Sequence, residues 1–129
     1  VTSPPLLLDT DFIIDHLRGR GEAIAFMRQL TQRPLTSVVV VAELYAGVRD
    51  GPERKQLDHF LTGVRIVSVD QEIAIEGGLY RRAFGKSHGV GLADALIAAT
   101  AKKEHAHLVT SNQKHFPMLA DVVVPYAKA

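Results

Sequence analysis

Three acidic residues interrupt otherwise apolar segments of this 129-residue chain: Asp9 after Leu6-Leu7-Leu8, Glu43 before Leu44, and Asp94 within Leu92-Ala93-Asp94-Ala95-Leu96. No local motif links them, so only the fold can bring them together. If it does, carboxylates about 5 Å apart repel by roughly 3 kcal/mol per pair at an effective dielectric near 20. Three such pairs approach about 10 kcal/mol, comparable to the whole stability of a domain. A cluster of this kind needs raised pKa values or a cation. An all-oxygen donor set with no cysteine favours Mg²⁺, or Mn²⁺, over zinc. Hard divalent ions held by carboxylates suit hydrolysis of phosphodiesters. Each acid also has a plainer role: Asp9 or Thr10 as a helix cap, Asp94 as a first-turn carboxylate on a helix dipole, Glu43 as a solvated helix residue.

The elements around these acids must position them. Leu6 to Leu8 reads as a short strand buried on both faces, as in a parallel sheet. Asp9 then falls where the strand gives way to a helix, in the crevice that binds ligands in open α/β folds. Phe12, Ile13, Ile14 and Leu17 make a short helix closed by Gly19 and Gly21, and a second helix runs from about Glu22 to Gln32. Leu35-Thr36-Ser37 is a strand, expected to continue for a residue or two into the β-branched run Val38 to Val41. The helix beyond it buries Val41, Leu44, Tyr45 and Val48, with Glu43 off that stripe. Leu57, Phe60 and Leu61 give another helix, and Val64 to Val69 another strand. A helix from Gln71 to about Lys86 has Ile73, Ile75, Leu79 and Phe84 inward, with Gly77-Gly78 permitting a close neighbour. Leu92 to Ala101 is a small-residue helix. Leu108-Val109-Thr110 and Val122-Val123-Val124 are the last strands. Strands alternating with helices imply a parallel α/β sandwich. The chain has the length of a single domain, 1–129, with neither repeat nor linker.

Composition excludes several classes. With no cysteine there are no disulfides, thiolate zinc sites or cysteine nucleophiles. Hydrophobic residues at 47% and charged residues at 22% are those of an ordinary soluble domain, and the net charge is only +1. Val1-Thr2-Ser3-Pro4-Pro5 has no basic leader region and no stretch approaches membrane-spanning length, so a cytoplasmic protein is expected. The six histidines read as structural or surface residues, with His115 a lesser candidate for contacting a nucleic acid.

In order, Leu7-Leu8-Asp9-Thr10-Asp11, Ala42-Glu43-Leu44-Tyr45-Ala46-Gly47, Asp94 to Ala101 and Leu108 to Phe116 resemble the PIN-domain nucleases. The likeness is greatest to the VapC toxins of bacterial VapBC toxin–antitoxin pairs. It implies a three-layer α/β/α sandwich with a mainly parallel sheet, and Mg²⁺-dependent cleavage of RNA. It also implies inhibition by a cognate VapB-type antitoxin and a homodimer. Asp9, Glu43 and Asp94 would be the metal-binding catalytic acids: Asp9 and Asp94 holding the ion, Glu43 positioning ion or water. Thr110 would orient the cluster and Asp11 support it. Where many such domains place a fourth acid, this chain has Asn112 and then His115, which favours one tightly held ion over two. Arg18, Arg20, Arg81, Lys86 and Lys114 are candidates to rim the cleft and hold phosphates. Asp9-Thr10-Asp11 after a strand also resembles the opening of haloacid dehalogenase-like phosphatases, although the chain is short for that family. A third reading is a PIN-like binding module without catalysis.

Overall fold

Residues 3–128 are described by a computed structural model; Val1 and Thr2, part of the stretch read for a leader, lie outside them. Four short strands, β1 (Leu6–Leu8), β2 (Leu35–Ser37), β3 (Arg65–Val67) and β4 (His107–Val109), form one sheet in the order β3-β2-β1-β4, every pair parallel. The six helices are α1 (Thr10–Leu17), α2 (Gly21–Arg28), α3 (Val38–Gly47), α4 (Pro52–Leu61), α5 (Gln71–His88) and α6 (Leu92–Lys103). The chain moves outward from β1 to β3 and then crosses back to place β4 on the other side of β1. Because crossovers between parallel strands are right-handed almost without exception, the outward connections through α1–α4 and the return through α5–α6 belong on opposite faces of the sheet. The result is the α/β/α arrangement expected from the sequence.

That reversal makes the carboxyl ends of β1 and β4 the switch point of the sheet, where open α/β folds carry their ligand crevice. Leu7 and Leu8 are completely buried, as an unbroken apolar run in a central strand requires. The carbonyl of Leu8 at the end of β1 accepts a 2.7 Å hydrogen bond from Thr36 Oγ1. The backbone N–H of Asp9 reaches Val109 O at 3.0 Å, so the first acid is stitched to the last strand.

Several boundaries differ from the sequence reading. The strand at Leu35 stops at Ser37 rather than running on. The Ser37 hydroxyl accepts from Val39 N at 3.0 Å and caps α3. Burial of Val40 and Leu44 outweighs the poor helix propensity of four consecutive valines. The second helix ends at Arg28, four residues short of Gln32, and β3 spans only three residues. Val122 to Val124 is not a full strand, since Val123 alone forms a parallel bridge, to Val109. In α5, Ile75 and Leu79 do not face inward; they are 56% and 41% exposed. The buried stripe is Ile73 and Gly77, continued by half-buried Tyr80 and Phe84, a spacing that follows the helix turn by turn. Gly77 is required there, because a Cβ would lie 2.6 Å from Leu96 Cδ2 in α6.

Among the described residues no helix is long and apolar enough to cross a membrane.

Candidate functional site

The apolar run of β1 must end somewhere, and Asp9 ends it in two ways at once. Its extended backbone starts α1 as the N-cap, with Oδ1 accepting from Thr10 N at 2.8 Å. Its other oxygen, Oδ2, accepts from Thr110 Oγ1 at 2.7 Å. The capping and site readings of Asp9 are therefore compatible. Thr110 follows β4 directly and is fully buried, while Asp9 is only 5% exposed. Burial pushes the Asp9 carboxyl up to about 7, the charges of Asp11 and Asp94 add to the rise, and the hydrogen bonds from Thr110 and Thr10 only partly offset it.

Asp11, in the first turn of α1, closes the loop after β4 from the other side. Its Oδ2 accepts from Ser111 N at 3.0 Å and from Ser111 Oγ at 2.6 Å, and Thr110 Oγ1 lies 3.3 Å from Oδ1. Glu43 projects from α3 and accepts a 2.6 Å hydrogen bond from Thr10 Oγ1. Asp94 stands in the first turn of α6. Its carboxyl is also raised, first by burial and then by the charges of Glu43 and Asp11, while His115 opposes the rise. Packing of α3 against both α1 and α6 brings Glu43 and Asp94 toward the Asp9 crevice. The three acids picked out by sequence, with Asp11 as a fourth, thus share one electrostatic neighbourhood around the ends of β1 and β4.

Asn112 takes part through its backbone, whose N–H reaches Thr110 Oγ1 at 3.0 Å. Three residues on, the His115 side chain meets a second acid, with Nδ1 3.4 Å from Asp94 Oδ2. The basic candidates are dispersed. Arg20 pairs with Glu22 at 3.0 Å and stacks over Tyr126, so it serves the start of α2 and the C-terminal segment rather than the acids. Arg81 lies back along α5 over Gly85. Arg18, Lys86 and Lys114 are exposed, and only Lys114 lies beside a site residue, next to His115. Sequence reasoning missed Ser111 and Thr10 as site-builders, and named His115 only at the fourth acidic position and as a lesser nucleic-acid contact. Thr10 and Ser111 each adjoin a residue already singled out, and that adjacency was the available signal.

The donor set can be tested against a divalent cation. Asp9 and Asp94 are raised chiefly because burial is not balanced by a nearby lysine or arginine, so a cation would relieve both. The donors are hard oxygens plus one imidazole, which suits a small divalent ion. Among the described residues no three acids and histidines converge closely enough to enclose an ion by themselves. A Mg²⁺-type ion asks for less, being held through one or two carboxylates with waters completing its shell. A concavity of about 460 Å³ lined by His16, Leu17, Gly19, Ile24, Met27, Arg28 and Gln56 contains none of the acids.

Comparison with known proteins converges on one family. The family model described as PIN domain matches residues 6–121. Ribonuclease VapC19 of Mycobacterium tuberculosis is 40% identical over 124 residues, covering 93% of this chain and 98% of that protein. Ribonuclease VapC10 of the same organism is 38% identical over 125 residues, covering 95% and 93%. Among solved structures, a chain of a toxin–antitoxin complex from Klebsiella pneumoniae superposes with a TM-score of 0.81 at 28% identity, covering 94% of this chain and 98% of that one.

Proposed function

Since this chain belongs to the PIN domain family, we propose that it is a VapC-type endoribonuclease, the toxin of a type II toxin–antitoxin pair. On this reading it cleaves RNA phosphodiesters with a divalent cation, Mg²⁺ or Mn²⁺, and is held inactive by a VapB-type antitoxin. The observation that carries the reading is the gathering of Asp9, Glu43 and Asp94 at the switch point of the sheet, in a chain 40% identical to a protein named as a ribonuclease. Family membership removes the ground for the haloacid dehalogenase-like alternative. The partner follows the solved toxin–antitoxin complex that this chain resembles along nearly its whole length.

Asp9 and Asp94 would hold the cation, with Glu43 beside it. When bound, the ion supplies charge neutralisation and a Lewis acid that activates water and stabilises the departing oxygen. The chain's own residues prepare that chemistry. Thr110 fixes one oxygen of Asp9 and the Thr10 N–H fixes the other, so the carboxylate cannot swing away. Asp11 anchors the Thr110–Ser111 turn, and through it the Asp9 contact. Thr10 Oγ1 restrains Glu43, whose helix would otherwise leave it free in solvent. Burial holds the Asp9 carboxyl up to about 7 in the metal-free molecule, and a bound cation would favour its ionised form.

The test is cleavage of cellular RNA by purified protein, with sites mapped in the presence of Mg²⁺ and in EDTA. Cleavage that needs the cation, is lost in Asp9→Asn and Asp94→Asn, and is blocked by the product of the neighbouring reading frame is the expected result. Cleavage at the parent rate by Asp9→Asn rules the assignment out. The family resemblance also suggests a homodimer, and exposed Ile75, Leu79 and Leu92 offer apolar surface for one; sedimentation of the purified toxin decides it.

A further inference from the structure

We infer that His115 is itself a ligand of the cation, shared with Asp94, and that this imidazole makes the site favour a first-row divalent ion such as Mn²⁺ over Mg²⁺. This rests on the reading of the acidic crevice as a cation site and specifies its donors.

The separation of His115 Nδ1 from Asp94 Oδ2, 3.4 Å, exceeds the usual N–H···O range of about 2.7–3.2 Å. It lies a few tenths of an ångström outside the spacing of two neighbouring donors on one octahedral ion, which stand about 3.0 Å apart with bonds of about 2.1 Å, so a small side-chain adjustment would bring both atoms onto one ion. Neither partner is sealed off: the His115 side chain is 48% exposed and that of Asp94 28%, so an ion and its waters can reach the space between them.

The ring is also positioned. His115 ends a 3-10 turn, Gln113–His115, in which its N–H reaches Asn112 O at 2.9 Å. Asn112 N in turn donates to Thr110 Oγ1, the hydroxyl that holds Asp9. Phe116, the next residue, is buried in the core and pins the far end of the turn. One hydroxyl thus ties the histidine-bearing turn to the most buried acid. Three of the other histidines have different surroundings: His16 packs on Phe60, His88 contacts Ser87, and His107 faces Asp121 at 3.8 Å at the edge of the sheet. Mg²⁺ takes oxygen donors almost without exception, whereas first-row ions accept imidazole beside carboxylates. An imidazole beside these carboxylates therefore shifts selectivity toward a first-row ion without adding to the negative charge of the site.

Pulsed EPR of Mn²⁺ bound to the intact protein reads the ligand directly, because a coordinated imidazole imprints ¹⁴N modulation on the echo. The modulation should be present in the parent and absent in His115→Ala and His115→Asp. By calorimetry, His115→Asp should still bind ions, with the ratio of Mn²⁺ to Mg²⁺ affinity reduced about tenfold, as for changes at the ligand shell of other sites. Circular dichroism confirms that both variants fold. Mn²⁺ bound in an Asp94-dependent way without nitrogen modulation, or modulation that survives His115→Ala, overturns the histidine ligand and leaves the cation site standing. Ion binding indifferent to Asp9→Asn and Asp94→Asn overturns both.

Discussion

Replacing Asp9 with Asn should remove catalysis and, in the absence of metal, make the protein more stable. The Asp9 carboxyl titrates near 7 in the folded chain against an ordinary value of 3.8. That difference of about 3 units corresponds to about 4 kcal/mol at 1.36 kcal/mol per unit. Asparagine keeps an oxygen for the Thr10 N–H, and the Thr110 hydroxyl can rotate to accept from the new amide. The raised value already includes the charge assistance of these bonds, so the neutral variant should gain about 4 kcal/mol over the ionised parent. For a chain of this size that is about 15 °C in Tm. The sign depends on pH. Because the folded state holds the Asp9 proton to higher pH than the unfolded state, the parent loses stability as pH rises from about 4 through 7. The variant should match the parent near pH 4 and exceed it by the full amount above pH 7. Thermal and urea unfolding in EDTA across this range measures the difference. Saturating cation should stabilise the parent alone, by about 2.7 kcal/mol at a hundred times Kd. A variant no more stable than the parent at pH 8 in EDTA, or offset from it equally at every pH, refutes the electrostatic account of the site.

Other perturbations test the frame around it. Thr110→Val removes a buried hydroxyl that contacts Asp9, Asp11 and the Asn112 N–H; a loss of about 1–3 kcal/mol in urea unfolding is expected, together with weaker cation binding that Thr110→Ser restores. Gly77→Ala forces a methyl group against Leu96 where α5 crosses α6, and should cost about 1–3 kcal/mol by overpacking. His105 occupies the left-handed region at φ 52° just after α6, a place where glycine is preferred; His105→Gly should raise stability by about 0.5–1 kcal/mol without altering RNA cleavage, and a destabilised variant would show that the imidazole makes a compensating contact.

What the sequence reveals about this site is uneven, for physical reasons. Asp9 is legible because a fully buried strand must be uniformly apolar, so an acid at its end marks the crevice. Glu43 and Asp94 stand out by interrupting helix stripes, yet their meeting depends on α3 packing against α6, which no local pattern encodes. The first residue or two of Val38 to Val41 read as strand by propensity and fold as helix because the Ser37 cap and the burial of Val40 and Leu44 decide otherwise. Ile75 and Leu79 read as core because they are apolar; the glycine between them in sequence, Gly77, is what faces α6. His115 stands out in sequence only by its place near the fourth acidic position; its relation to Asp94 comes from the turn after β4.

The hydrogen bond between Thr110 and Asp9 joins residues 101 positions apart, and that span has a bearing on when the chain becomes dangerous to its maker. Closing a segment so long costs entropy that only a docked fourth strand can offset. A polypeptide emerging from the ribosome carries Asp9 but lacks the threonine that orients this carboxylate until 101 further residues have been added. Assembly of the acidic centre is thereby deferred until the fourth strand has been made and docked.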